Sequence, residues 1–138
     1  MRIKTLGGTM RTEILEKITQ NKNIFKVSLI NMGINDNELL EIIETIKHSK
    51  PTVSVFDFDN NNITDEGAKI LSEQLPDFNN IKEISLQFNN IGKEGAIELF
   101  SLKKIFSELD ILFHGNKIIS VSEMDEIERT ALFEYSKP

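Results

Sequence analysis

At 138 residues the chain is long enough for one domain with a core and too short for two. Its 16 basic and 22 acidic residues give a formal charge of −6, which excludes the basic footprint of a nucleic-acid binder. It has no cysteine, so disulfides and thiolate metal sites are excluded, and no stretch approaches the roughly 20 apolar residues of a membrane span.

In chain order, Met1–Gly8 has no apolar run long enough for a signal peptide, which sets the expectation of a cytoplasmic protein. Residues 1–9 show no clear pattern: an extra edge strand, a disordered lead or the remnant of an appended tag. Thr12 to Gln20, with Ile14, Leu15 and Ile18 on one side, reads as a helix sealing the N-terminal end. Then a pattern begins: Ile24-x-x-Val27-x-Leu29-x-x-Met32-x-Ile34. It recurs as Val53-x-x-Phe56-x-Phe58-x-x-Asn61-x-Ile63 and as Ile81-x-x-Ile84-x-Leu86-x-x-Asn89-x-Ile91. The middle pair is 28 residues apart, with Glu66-Gly67-Ala68 and Glu94-Gly95-Ala96 at matching offsets. A fourth, partial unit runs Ile111-x-Phe113-x-x-Asn116-x-Ile118. Met32 and Glu108 depart from the pattern, as expected where a solenoid ends. Ser120 to Tyr135, with Met124, Ile127, Ala131 and Leu132, reads as the closing helix.

Each unit has two phases. Alternating apolar residues such as Phe56/Phe58 and Ile84/Leu86 indicate a short strand buried on one face. Helical spacing follows: Leu39, Ile42, Ile43 and Ile46; then Ala68, Leu71 and Leu75; then Ala96, Leu99 and Leu102. Asn35, Thr64 and Ser120 stand where helix caps belong. Gly67 and Gly95, early in their helices, permit close packing against the strand layer. Strand followed by helix at a fixed period predicts an α/β solenoid of about four β–α units. Its parallel sheet forms the concave face and its helices the convex face. Residues 1–23 form a lead and cap, 24–118 the repeats and 119–138 the closing cap, all within one domain. The ninth-position asparagine is expected to bond turn backbone and to link adjacent units.

The pattern LxxLxLxxNxL, followed by a helix with the Gly-Ala pair, resembles leucine-rich-repeat proteins of the ribonuclease-inhibitor type. The resemblance covers roughly Ile24 to Phe133. It implies binding to another protein, in one version by covering an enzyme's active site. Small, Lys/Asn/Ile-rich free-standing arrays of this kind also look like effectors of intracellular bacteria, delivered into a host cell.

Other motifs compete weakly. Asp57-Phe58-Asp59 after an apolar strand resembles the opening motif of haloacid-dehalogenase-like phosphotransferases. It supports an alternative reading as a magnesium-dependent phosphotransferase using Asp57/Asp59. The later lysine and acidic pair of that machinery are not found, and the repeat register already explains both aspartates. As a calcium loop the same stretch has Asn62 where glycine is needed and Ala68 where glutamate is needed. His48 and His114 are too far apart for a local metal motif. No catalytic centre, metal site or cofactor is expected, and neither a nucleic-acid nor a membrane partner. A third reading is a self-associating fragment of a longer array.

The register also names the surface. Residues between the buried ones should line the concave face: Ile30 in the first unit, Val55, Asp57 and Asp59 in the second, Glu83, Gln87 and Phe88 in the third, and Asp110, Leu112 and His114 in the fourth. Asp57, Asp59, Glu83 and Asp110 make an acidic stripe; Ile30, Val55, Phe88 and Leu112 are apolar where water is expected. The expected function is non-enzymatic: protein binding through this face, with a basic or mixed basic and apolar patch on the partner.

Overall fold

The structure, a computed structural model, describes residues 10–118 and 120–134, the side chain of residue 134 apart. The expectations for residues 1–9 and for Tyr135 lie outside the described residues. In chain order the elements are α1 (Thr12–Thr19), β1 (Lys26–Ser28), α2 (Asp36–Ser49), β2 (Val55–Asp57), α3 (Asp65–Gln74), β3 (Glu83–Ser85), α4 (Lys93–Phe100), β4 (Asp110–Leu112) and α5 (Val121–Arg129). The strands form one parallel sheet in the order β1-β2-β3-β4. Lys26, Val55, Glu83 and Asp110 stand side by side, as do Val27, Phe56, Ile84 and Ile111, and Ser28, Asp57, Ser85 and Leu112. The fold is a short leucine-rich-repeat solenoid.

Each strand is only three residues long, for a local reason. The eighth position of every unit has positive φ: Asn31 (57°), Asn60 (59°), Phe88 (57°) and Gly115 (81°). That left-handed step turns the chain out of the sheet after the strand. The ninth-position asparagine then fixes the turn. Asn61 Oδ1 accepts from the N–H groups of Met32 (3.0 Å) and Ile34 (2.9 Å) in the preceding unit. Its Nδ2 donates to the carbonyls of Leu29 (2.9 Å), Phe58 (2.8 Å) and Asp59 (3.2 Å). Asn89 and Asn116 repeat the arrangement one and two units on. Because the amide always reaches backward, a first unit has nothing to reach. Met32 can therefore replace asparagine and pack against the core instead. Arg11 closes that end by donating to the Met32 carbonyl and to the Glu38 carboxylate.

A second linkage runs through the helix starts. The Thr64 side chain does not cap α3 as its position predicts. Instead its N–H and hydroxyl both donate to the Asp36 carboxylate, one unit back. Likewise Asp65 Oδ1 accepts from Gly92 N–H at 2.6 Å. What Gly95 makes room for is therefore chiefly this aspartate rather than the strands. A Cβ there would sit 2.6 Å from Asp65 Oδ1, 2.7 Å from Asp65 Cα and 2.9 Å from Ile91 Cγ2. In an ordinary helix Gly→Ala gains about 1 kcal/mol. Here overpacking against backbone costs about 1–3 kcal/mol and wins. Gly95→Ala is expected to lower the thermal midpoint; an unchanged or higher midpoint would refute this account of the spacing.

The core runs the length of the stack between sheet and helices, from Ile14 and Ile18 through Phe56 and Phe58 to Ile127 and Ala131. Leu75 and Leu102, read as part of α3 and α4, lie in 3-10 segments after them (Leu75–Asp77 and Ser101–Lys104). The closing helix changes to a π-helix at Thr130–Glu134. Asn35 and Ser120 do cap α2 and α5, and His48 lies in the last turn of α2. Ile24, placed in the core by the repeat, is half exposed. It starts the first unit, so no earlier unit lies beside it.

Candidate functional site: the strand face and its aromatic edge

The buried positions alternate with outward ones along β1 and β2, and β3 follows the same register with Ser85 buried at its outward position, so the sheet presents three rows of side chains. The first row is Lys26, Val55, Glu83 and Asp110. The second is Ser28, Asp57, Ser85 and Leu112. The third follows from the backbone bonds beyond the strands and holds Ile30, Asp59, Gln87 and His114. Ile30 and His114 end that row three strand spacings apart, roughly 14 Å. Nine of the ten residues singled out by register thus share one face, Phe88 falling in the turn just beyond it, and Ile30 and His114 at its two ends do not touch.

The acidic stripe divides. Asp59 is occupied from within: Oδ1 accepts from Ser85 Oγ at 2.6 Å and from Gln87 N–H at 2.8 Å, and Oδ2 accepts from Gln87 Nε2 at 3.2 Å. It fastens the second unit to the third, and Ser85, at an outward position of β3, is buried beside it. Asp57 Oδ1 accepts from Asp59 N–H at 3.1 Å. Partial burial pushes the Asp57 carboxyl above the usual aspartate range, outweighing the lowering effect of that bond; the Asp59 charge raises it further and Lys26 lowers it. Glu83 is half-buried and Asp110 exposed. Neither forms an ion pair with another described residue.

The raised Asp57 value fixes a sign. Below the ordinary aspartate range both folded and unfolded chains are protonated there and no cost arises. As pH rises through the raised value, the folded state loses stability relative to the unfolded. Asp57→Asn removes that loss and keeps an oxygen for Asp59 N–H. At neutral pH the variant is expected to melt above the wild type, with the gap closing toward about pH 3. Thermal melts across pH check this; a gap that widens in acid would overturn it.

The aromatic edge is built differently. Phe88 is 51% exposed, yet it takes the left-handed conformation that disfavours bulky side chains. Its ring meets His114 edge-on, with centroids 5.5 Å apart. It lies over Gly115, where a Cβ would fall 2.7 Å from Phe88 Cε1. Gly115 is therefore needed twice, for its own φ of 81° and to leave space for the ring. Leu112, 40% exposed, stands on the same edge strand. Residue types at the eighth position (Asn, Asn, Phe, Gly) carried a readable left-handed signature in three units of four, and Phe88 is the exception to it.

Among the described residues no group of three or more His, Asp or Glu is placed to hold a metal ion, and no helix is long and apolar enough to cross a membrane.

Comparison with known proteins agrees with this geometry. The leucine-rich-repeat family matches residues 49–72 and 79–100, the two regular central units. Among solved structures the chain is similar to the segment titled Leiomodin-1 Actin-Binding Site 2. The TM-score is 0.66 and the identity 24%, covering 83% of this chain and 68% of that one. No curated protein matches. The two central units thus match leucine-rich repeats, and the neighbour shares their fold.

Proposed function

We propose that this chain binds a partner protein through its strand face, with Phe88 as the anchor. One observation carries the reading: an aromatic ring is held half exposed, against backbone preference, on a glycine cleared for it. Nothing in the core calls for such an arrangement, and rigid exposed aromatics dominate binding energies at interfaces. Leu112 and His114 extend the contact. Asp57, Glu83 and Asp110 supply negative charge that steers a basic or mixed basic and apolar patch and adds specificity. Asp59 is taken out of that set by its internal bonds. Those bonds also weigh against Asp59 as the acid/base partner of a phosphotransferase pair.

The similarity to an actin-binding segment supports a protein as the class of partner. The alternation of strand with full helix in each unit supports the ribonuclease-inhibitor type. Proteins of that type can cover an enzyme's active site, and an enzyme covered in this way by the strand face is the partner proposed here. The test is affinity capture with the wild type, Phe88→Ala and Asp57→Arg, read by quantitative mass spectrometry. A partner bound by the wild type and lost from Phe88→Ala supports the reading. Partners retained at wild-type levels by both variants would sink it.

A further inference from the structure

Among the described residues no further strand pairs with the far edge of the fourth unit. In the inner units Ile84 and Leu86 are fully buried because the next unit lies over them. Their counterparts Ile111 and Phe113 are less covered, and with Phe100, Ile118 and Met124 they line a groove of about 550 Å³ between β4 and α5. The backbone beside the groove is open too. In units one to three the N–H groups of the sixth and eighth positions donate to the next unit: Leu29 to Asp57, Asn31 to Asp59, Phe58 to Ser85, Asn60 to Gln87, Leu86 to Leu112 and Phe88 to His114. Among the described residues the equivalent N–H groups of Phe113 and Gly115 have no backbone acceptor. Lys103, Ser120 and Glu128 also line the groove, around its apolar floor. A strand edge with open donors beside a slot with an apolar floor is the geometry that takes up an added strand.

The register states what would fit. A fifth parallel strand would set its first outward residue beside Asp110, which follows Glu83 in the same row with no cation between them. Its second outward residue would lie beside exposed Leu112, and its inward residues would enter the groove on Ile111 and Phe113. The complementary segment is therefore extended, with a lysine or arginine followed by three apolar residues. A second copy of this chain is a poor donor of that strand. Its β1 carries Lys26 at the right place, but α1 packs against β1. Met32 also provides no amide for the open Ile118 N–H, the bond that Asn61, Asn89 and Asn116 make to Ile34, Ile63 and Ile91.

We infer that the free edge of β4 and the groove beneath it bind an extended, basic-then-apolar segment of a partner protein as a fifth parallel strand. The site lies beyond the Phe88 anchor, on the outer side of β4, although Asp110, Leu112, His114 and Gly115 border both. The test uses the full chain and a synthetic capped hexapeptide, threonine–lysine–isoleucine–valine–leucine–threonine. Amide exchange by NMR should show Phe113 and Gly115 becoming protected as peptide is added. A peptide with proline in place of valine should bind at least about tenfold more weakly, since it lacks a ladder donor and resists the strand. Asp110→Lys should weaken the lysine peptide about fivefold, and a glutamate version of the peptide should recover the loss. Amide protection by the peptide is read on this chain alone and capture of a partner on Phe88, so failure of this inference and failure of the strand-face reading are told apart. Three results would overturn it: protection elsewhere, equal binding of the proline peptide, or Phe113 and Gly115 already protected without peptide. In the last case dependence on protein concentration would assign the edge to a second copy, and independence to the chain itself.

Discussion

Phe88→Asn is expected to make this protein more stable and to cost it its partner. The left-handed conformation costs a side-chain-bearing residue about 1–2 kcal/mol, and asparagine, present at the equivalent Asn31 and Asn60, bears it best after glycine. Against that gain stands the edge-on contact with His114, worth about 0.5–1.5 kcal/mol and toward the lower figure for a ring half exposed to water. The balance favours the variant by up to about 1 kcal/mol, a rise of about 2–4 °C in the thermal midpoint. Binding should fall by about 30-fold or more, the effect of losing one anchor worth about 2 kcal/mol. Phe88→Ala separates the two effects: it keeps most of the backbone strain, loses the ring, and should gain no stability. A melt lower than wild type for Phe88→Asn would show that the ring serves the fold. Unchanged partner affinity would show that it serves nothing outside.

Asn61→Ala is expected to be the most damaging single truncation on the turn side of the stack, costing about 3–5 kcal/mol. Five hydrogen bonds end on this one amide, two accepted from the preceding unit and three donated, and the side chain is buried. Removing it strands backbone groups that water cannot reach, at about 1–3 kcal/mol each before relaxation. A typical domain has about 5–15 kcal/mol in total. The effect should fall along the array: Asn89 makes four such bonds and Asn116 three, the latter only partly buried. Chemical denaturation of the three alanine variants checks the order. Equal losses would mean that the amides act locally rather than as ties between units.

Much of the architecture was legible because a strand–helix repeat forces a single register. Once Phe56 and Ile84 are matched, the buried and outward positions follow for each full unit, and so does the row on which Asp57 lies. What the register does not encode is which polar group a side chain meets one unit away. Asp59 looks like Asp57 in the pattern. It differs only because Ser85 and Gln87 stand one strand over with donors aimed at it. Thr64 looks like a helix cap, but Asp36 of the previous unit claims its hydroxyl. Ile24 fits the pattern and is still half exposed, because burial at that position requires a neighbour that the first unit lacks. The strain at Phe88 was readable in principle: asparagine or glycine at three of the four eighth positions is the signature of a left-handed residue. An aromatic in that slot conceals the signature unless all four units are compared.

The backward reach of the asparagine amides gives the stack a grammar as well as strength. Each unit brings its own tie to the one before it, so a unit copied and placed after the fourth would carry all it needs to attach. A unit placed before the first would meet Met32 and find no tie offered. Duplication can therefore lengthen this protein in one direction without altering a residue already present, whereas growth in the other direction requires a substitution first.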